Sequence, residues 1–430
     1  QMRCVKARGS VAQELADHIA DQVQAYERSG VDRDQAIARA VREMGDPVEI
    51  GVAMDRIHRP QADWKMLVLT FVLGIAGVLC MVPVYGSARI IPGQILMMLA
   101  GFVVTIAVYF VDYSVLGRIG AAAYPVLTVF LWIGKTWLFP VVNGRVQQMT
   151  ILAYLYIPIF AGILYQLRRK GFRAVLAGIG VIGATFFFVG QFAAVAGTTV
   201  NLFLIMTLML AAAAAKGMFG ERRKLWTAVA AAVGIFPLLA GIGYVCLSDG
   251  FRAHRLKAFF FRDQYQDAEG FYYVMIRDIL NGSRLFGRGS SMYIGEDTVL
   301  MFSEGGLMPT GIIYFYGTAA GILLAGMLAV FVLRALRIVR GQKNQLGFLV
   351  SMACFLVLLV NCAEGILVGV GLFPVTTTVM PFLMRGGSAT LVYAVIIGLL
   401  LSVHRYERVY TREPYAPQPH VRISVKTERR

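Results

Sequence analysis

The chain has 430 residues, 57% of them hydrophobic and only 15% charged, with a formal net charge of +16. That balance excludes a water-soluble enzyme and predicts an all-α, polytopic membrane protein with a small soluble part. The basic excess is spread over short connections between apolar runs, which argues against nucleic acid as a partner.

Residues 1–63 read as a soluble, cytoplasmic helical domain. Val11, Leu15, Ile19 and Val23 recur at helical spacing between Ser10 and Arg28. Asp32 can cap a second helix that runs through Val41 and ends near Gly45. Asp46, Pro47 and Glu49 offer an N-cap, a first-turn proline and a capping-box glutamate for a third, which Arg59-Pro60 closes. The stretch REMGDPVEIGVAMDRIHRP is similar to small helical domains on the cytoplasmic side of some bacterial membrane proteins. Such a segment serves either regulation and docking or insertion and stability.

Apolar runs follow near 65–83, 93–111, 120–139, 150–167, 173–190, 194–214, 226–246, 299–333, 347–370 and 383–403. At roughly 20 residues per crossing these make about ten transmembrane helices, a membrane domain over 64–403. The eighth run is overlong for one crossing and implies a loop portion or a tilt. Only Gly190 and Gln191 separate the fifth run from the sixth. No cleavable signal peptide precedes the first run.

Charge orients the bundle. Basic clusters stand at 168–173, at 216–224 and at Arg334, Arg337, Arg340 and Lys343. The basic tail 404–430 adds more. All fall on one face with the N-terminus, and the positive-inside rule makes that face cytoplasmic in a bacterial plasma membrane. The long polar connection 247–298 then lies outside. It mixes Arg252, Arg255, Lys257, Arg262, Arg277, Arg284 and Arg288 with Asp249, Asp263, Asp267, Glu269, Asp278, Glu296 and Asp297. The cysteines are scattered, with no CxxC pair, and His254 has no ligand partner at useful spacing, so no metal site is read.

Two stretches carry a family resemblance: GRGSSMYIGEDTVLMFSEGG, entering the eighth run, and GVGLFPVTTTVMPFLMRGGSATL, before the last. Their order, spacing and topology resemble the SEDS family of bacterial cell-wall polymerases, the group of RodA and FtsW. The resemblance spans roughly 65–403, and its most specific part is the P-V-T, P-F, G-G-S succession. It implies a glycosyltransferase that polymerises lipid II at the outer membrane face and releases undecaprenyl diphosphate. It also implies a membrane-anchored class B penicillin-binding transpeptidase as partner. No cofactor is named; a divalent cation is compatible with a diphosphate leaving group.

By that resemblance Asp297 is the general base, with Glu296 its neighbour and a helix N-cap the competing role. Glu304 resembles one of the family's paired glutamates, one or two residues closer to Asp297 than usual. Arg145, which follows Asn143-Gly144, and Arg385, before Gly386-Gly387, are candidates for the diphosphate, with Arg252, Arg255 and Lys257 beside them. For each, a headgroup anchor is the competing role. Lys135 and Glu364 complete the substrate-binding set as ionisable residues deep in spans. Pairing with each other or with carbonyls is their structural alternative.

The chain departs from the family after Arg145, at the start of the sixth run, and at Met384-Arg385, where Ser-Tyr is usual. A lipid-linked precursor transporter and a catalytically silent cell-wall scaffold are the competing functions. No internal repeat supports the transporter.

Overall fold

The computed structural model describes residues 5–85, 90–139, 146–193, 196–220, 222–247, 251–264, 270–294, 302, 306–376, 379–383 and 385–410. Within these, the side chains at 5–7, 10, 13, 85, 90, 147, 192, 193, 196, 236–247, 251–253, 255 and 263 are not described. The described residues fold into helices, without a strand, and divide into two compact units.

The first unit gathers α1 (Val5–Arg28), α2 (Arg33–Glu43) and α3 (Pro47–Ile57) with 341–345 and 404–410. Gly30, at φ +88°, makes the turn that lets α2 fold back on α1. Asp32 caps α2 by accepting from the Asp34 N–H, and Asp46 caps α3 by accepting from the Val48 N–H with Pro47 at the first turn. Val11, Ala36 and Ala40 supply the small core between α1 and α2. His58 is 3% exposed and shares its Nδ1 with the Arg408 carbonyl at 2.9 Å, while Nε2 lies 3.4 Å from Glu14.

The second unit is the helical bundle. It comprises α4 (Trp64–Tyr85), α5 (Ile90–Phe110), α6 (Val115–Ile133), α7 (Gln147–Leu152), α8 (Tyr156–Gln166), α9 (Phe172–Ala193) and α10 (Ala196–Ala215). It continues with α11 (Arg223–Leu247), α12 (Phe251–Phe260), α13 (Phe271–Asn281), α14 (Met308–Tyr316), α15 (Thr318–Gly341), α16 (Gln345–Gly369) and α17 (Gly387–Arg405). Among the described residues nine helical stretches are long and apolar enough to cross a membrane. The 25-residue α11 supplies the length of a tenth, as its run at 226–246 predicts. The fifth and sixth runs are separate helices, α9 and α10.

Burial locates the core. The stretch Gln148–Gln166 is 78% buried and α16 72%, against 17% for α5, so α7, α8 and α16 are central and α5 peripheral. Helices α6 and α8 touch through glycine: a Cβ on Gly162 would stand 2.2 Å from the Leu116 carbonyl oxygen. Small residues at such a crossing let backbones approach where lipid gives no hydrophobic drive. Asp63 accepts from the Met66 N–H at the start of α4 and pairs with Arg334 of α15 at 2.5 Å.

The expected eighth crossing at 299–333 differs from the structure. Residues 308–316 form the separate helix α14, and the crossing is α15, which begins at Thr318 and takes in Arg334, Arg337 and Arg340. Gly317, at φ +94°, ends one helix and starts the other. The break is stitched to the long polar connection: the N–H groups of Thr318 and Ala319 donate to the carbonyls of Arg284 and Leu285, and those of Gly287 and Gly289 donate to Tyr316 and Tyr314. An apolar run thus hides a helix end that hydropathy alone cannot register.

Candidate functional site

A buried polar cluster inside the bundle centres on α16. Asn361 and Glu364 stand three residues apart on one helix face, both buried. Glu364 accepts from the Asn201 side-chain amide of α10 and from the Thr376 hydroxyl, each at 2.5 Å. Asn361 accepts from the Tyr154 hydroxyl at 2.8 Å and donates its own amide to the Val357 carbonyl. Tyr154 belongs to the 3-10 turn Ala153–Leu155 that lies between α7 and α8. These groups satisfy one another, as buried polar atoms in a span must.

Above Thr376 the connection after α16 meets the long polar segment. Gly371, at φ +72°, turns the chain away from α16. The Arg262 guanidinium donates to the Gly371 carbonyl at 2.9 Å and stacks on Phe259 and Tyr273. The Val375 N–H donates to the Tyr273 hydroxyl at 3.1 Å. Described parts of the 247–298 segment are therefore hydrogen-bonded to the P-V-T stretch and the turn before it. Arg262 and Tyr273 make that joint, although composition marks them only as two polar residues among many.

Further along, Phe382 has φ +68°, a conformation unfavourable for a bulky side chain, and its ring packs edge-on against Phe331 at 5.3 Å. Its backbone lies on Gly77 of α4, where a Cβ would fall 2.0 Å from the Phe382 carbonyl oxygen. Beside it α4, α5 and α17 frame a small open groove of about 60 Å³, lined by Phe71, Val78, Met98, Phe102, Tyr393 and Ile397. Gln94, also in the groove wall, accepts from the Gly386 N–H at 3.4 Å. Tyr393 donates to the Val379 carbonyl. The groove thus sets apolar side chains beside one polar amide, the kind of surface that takes hydrocarbon next to a polar group.

The sequence-derived site residues fall in different places. Asp297, Glu296, Glu304 and Arg145 lie outside the described residues. Arg252 and Arg255 are on α12, with their side chains outside the described set, and Lys257 is half-buried on the same helix. Arg385 is exposed, next to the Gly386 that meets Gln94. Lys135 and Glu364 do not pair with each other. Lys135 sits in the π-helical turn Gly134–Leu138 and donates to the Gln191 carbonyl at 2.5 Å, between exposed Trp132 and Trp137. Among the described residues no group of three or more His, Cys, Asp or Glu side chains could hold a metal ion. The cluster around Glu364 has one carboxylate and otherwise neutral oxygens.

No family model matches the chain. Over 164 residues, 37% of the chain, it is 25% identical to the probable peptidoglycan glycosyltransferase FtsW of Trichlorobacter lovleyi. Over 92 residues, 21% of the chain, it is 33% identical to stage V sporulation protein E of Bacillus subtilis. The matched stretches span 42% and 25% of those relatives, less than half the length of either. In structure the chain resembles one solved in work on coordination of polymerization and crosslinking by a peptidoglycan synthase complex. The TM-score is 0.60 at 15% identity, covering 80% of this chain and 98% of the other. It also resembles an aspartate-to-alanine mutant of the Thermus thermophilus rod shape determining protein RodA, at TM-score 0.52 and 11% identity, with 80% and 98% covered. At such identities the structural likeness is one of fold. Partial sequence likeness to FtsW and stage V sporulation protein E, with a RodA-like bundle over most of the chain, supports the resemblance to the SEDS family.

Proposed function

We propose that the protein is a peptidoglycan glycosyltransferase that polymerises lipid II at the extracytoplasmic face of a bacterial plasma membrane, with both termini cytoplasmic. One observation carries the reading beyond family likeness. An apolar groove between α4, α5 and α17 has Gln94 in its wall, Gln94 accepts from the Gly386 N–H, and the exposed cation Arg385 is the residue before that glycine. A polyprenyl diphosphate needs this pairing: hydrocarbon wall for the chain, and amide donors and a cation near the diphosphate.

In the reaction a hydroxyl oxygen of the acceptor sugar attacks the anomeric carbon of the donor. A new glycosidic bond forms, the bond to the diphosphate oxygen breaks, and undecaprenyl diphosphate leaves with the electron pair. Asp297 takes the hydroxyl proton as general base. Arg145 and Arg385 stabilise the charge that develops on the diphosphate, and Arg255 and Lys257 of α12 supply further positive charge nearby. Residues 1–63 and the tail 404–430 flank the membrane domain as cytoplasmic parts. A membrane-anchored class B penicillin-binding transpeptidase is the partner that cross-links the product.

The test is purified protein with labelled lipid II, wild type against Asp297→Ala. Glycan polymer from the wild type, reduced at least about 100-fold in the variant, is the expected outcome for loss of a general base. Absence of polymer even with a cognate transpeptidase present overturns the reading. Movement of lipid II across proteoliposomes without polymer replaces it with transport.

A further inference from the structure

We infer that Glu364 is a positioning residue: its carboxyl group fastens the connection after α16 to α10, and through it sets the part of the site that carries Arg385. The inference rests on the proposed polymerase reading for its kinetic consequence, not for its structural one.

Both carboxyl oxygens are engaged by the protein, one by Thr376 and one by Asn201, and the residue is only 6% exposed. A substrate headgroup approaching the bundle therefore meets Thr376 and the chain around it, not the Glu364 carboxyl. An acid placed inside a span is costly unless donors are aimed at it, so this one holds its two partners tightly. Those partners are far apart in sequence. Thr376 belongs to the P-V-T stretch, whose next-door Val375 N–H is held by Tyr273 of the long polar segment. Asn201 is one turn beyond Gly197 of α10, and a Cβ on Gly197 would touch Thr376 at 3.5 Å, so α10 and this connection are in close contact there.

The same face of α16 reaches a second connection. Asn361, one turn before Glu364, accepts from Tyr154 in the turn between α7 and α8. That turn follows α7, whose first residue Gln147 comes directly after Val146. Asn361 and Glu364 therefore tie one face of α16 both to the turn between α7 and α8 and to the connection that leads on to Arg385. Glutamine replaces one of the two accepting oxygens with a donating amide and removes the charge, so both contacts survive only as weaker neutral ones, with the Thr376 hydroxyl or a turned Asn201 amide accepting where it now donates. Asn201→Asp supplies an acceptor that needs no turning: it accepts from the glutamine amide while the glutamine oxygen still accepts from Thr376.

Hydrogen exchange of the full-length protein in nanodiscs reads the structural half. Thr376→Val and Glu364→Gln are expected to speed exchange of the 370–376 amides about tenfold, leaving α6 and α8 unchanged, and Glu364→Gln with Asn201→Asp to restore protection. Polymerisation of lipid II reads the kinetic half: the single variants lower kcat about tenfold with the KM for lipid II within about twofold, and the double variant recovers most of kcat. Unchanged 370–376 exchange in both Thr376→Val and Glu364→Gln overturns the inference. So does a raised KM at unchanged kcat, which would place Glu364 on the substrate. If the wild type makes no polymer, the polymerase reading falls while the exchange experiment still decides the role of Glu364. If Glu364→Gln fails to fold, Thr376→Val, which deletes one hydroxyl, decides alone.

Discussion

A glycine with no room for a methyl group is the sharpest constraint at the scale of the single residue. Gly77 lets α4 lie directly on the backbone of Phe382, itself held at φ +68° beside the groove. With a Cβ placed 2.0 Å from a carbonyl oxygen, Gly77→Ala forces α4 and the 379–383 segment apart. Thermal unfolding of the purified protein should show a loss of about 1–3 kcal/mol, the usual penalty for overpacking. A variant as stable as the wild type would mean that the contact yields freely. Residues of this kind are invisible in a single sequence, because Gly77 looks like any glycine in an apolar run. Lys135 and Glu364, in contrast, are conspicuous there as ionisable groups in spans. Their partners are not: the Gln191 carbonyl, Asn201 and Thr376 are neutral groups brought in from distant helices, and no spacing rule links them.

At the scale of the element, helix ends matter more than helix identity. The apolar runs predict the helices well, because a crossing needs about 20 apolar residues whatever surrounds it. The run at 299–333 is where that logic fails. Gly317 closes α14 at φ +94° and opens α15, and a Cβ there would stand 2.5 Å from the Leu285 carbonyl oxygen. Both the conformation and the space demand glycine. Gly317→Ala should cost about 1–3 kcal/mol for the strained backbone alone. It should also loosen the hydrogen bonds that tie 284–289 to the break. Faster hydrogen exchange at Thr318 and Ala319, with α16 protected as before, is the expected signature, and unchanged exchange there would refute the stitching role. The hydrophobic content of the run was legible. The positive φ was not, because it is imposed by a chain segment some thirty residues earlier.

At the scale of the whole molecule two units with different chemistry share one chain. The bundle is held by apolar packing, by buried hydrogen bonds such as those to Asn361 and Glu364, and by the Asp63–Arg334 pair. In the first unit the capping residues Asp32 and Asp46 were legible because caps are local. The contact of His58 with the Arg408 carbonyl was not, since it joins the two ends of the chain. That unit also carries an exposed polar link between its first two helices: the Tyr26 hydroxyl donates to Glu43, and Arg39 lies 3.3 Å from the same carboxylate. The hydrogen bond from Tyr26, then Arg39, holds the Glu43 carboxyl below its ordinary value of 4.5. By linkage, a carboxylate whose folded pKa is depressed contributes stability that is fully present above 4.5 and is lost as pH falls through the folded value. Tyr26 is shifted the opposite way, upward from 10.0, chiefly by the hydrogen bond to Glu43, so its contribution is present below 10.0 and fades in strong base. The contact between α1 and α2 should therefore loosen from about pH 4.5 downward. Hydrogen exchange of the α1 and α2 amides, corrected for the intrinsic pH dependence of exchange, measures this. Glu43→Gln removes the titrating group and should leave those amides with a flatter acid profile than the wild type. An identical profile in the two proteins would assign the acid sensitivity to another group of the first unit.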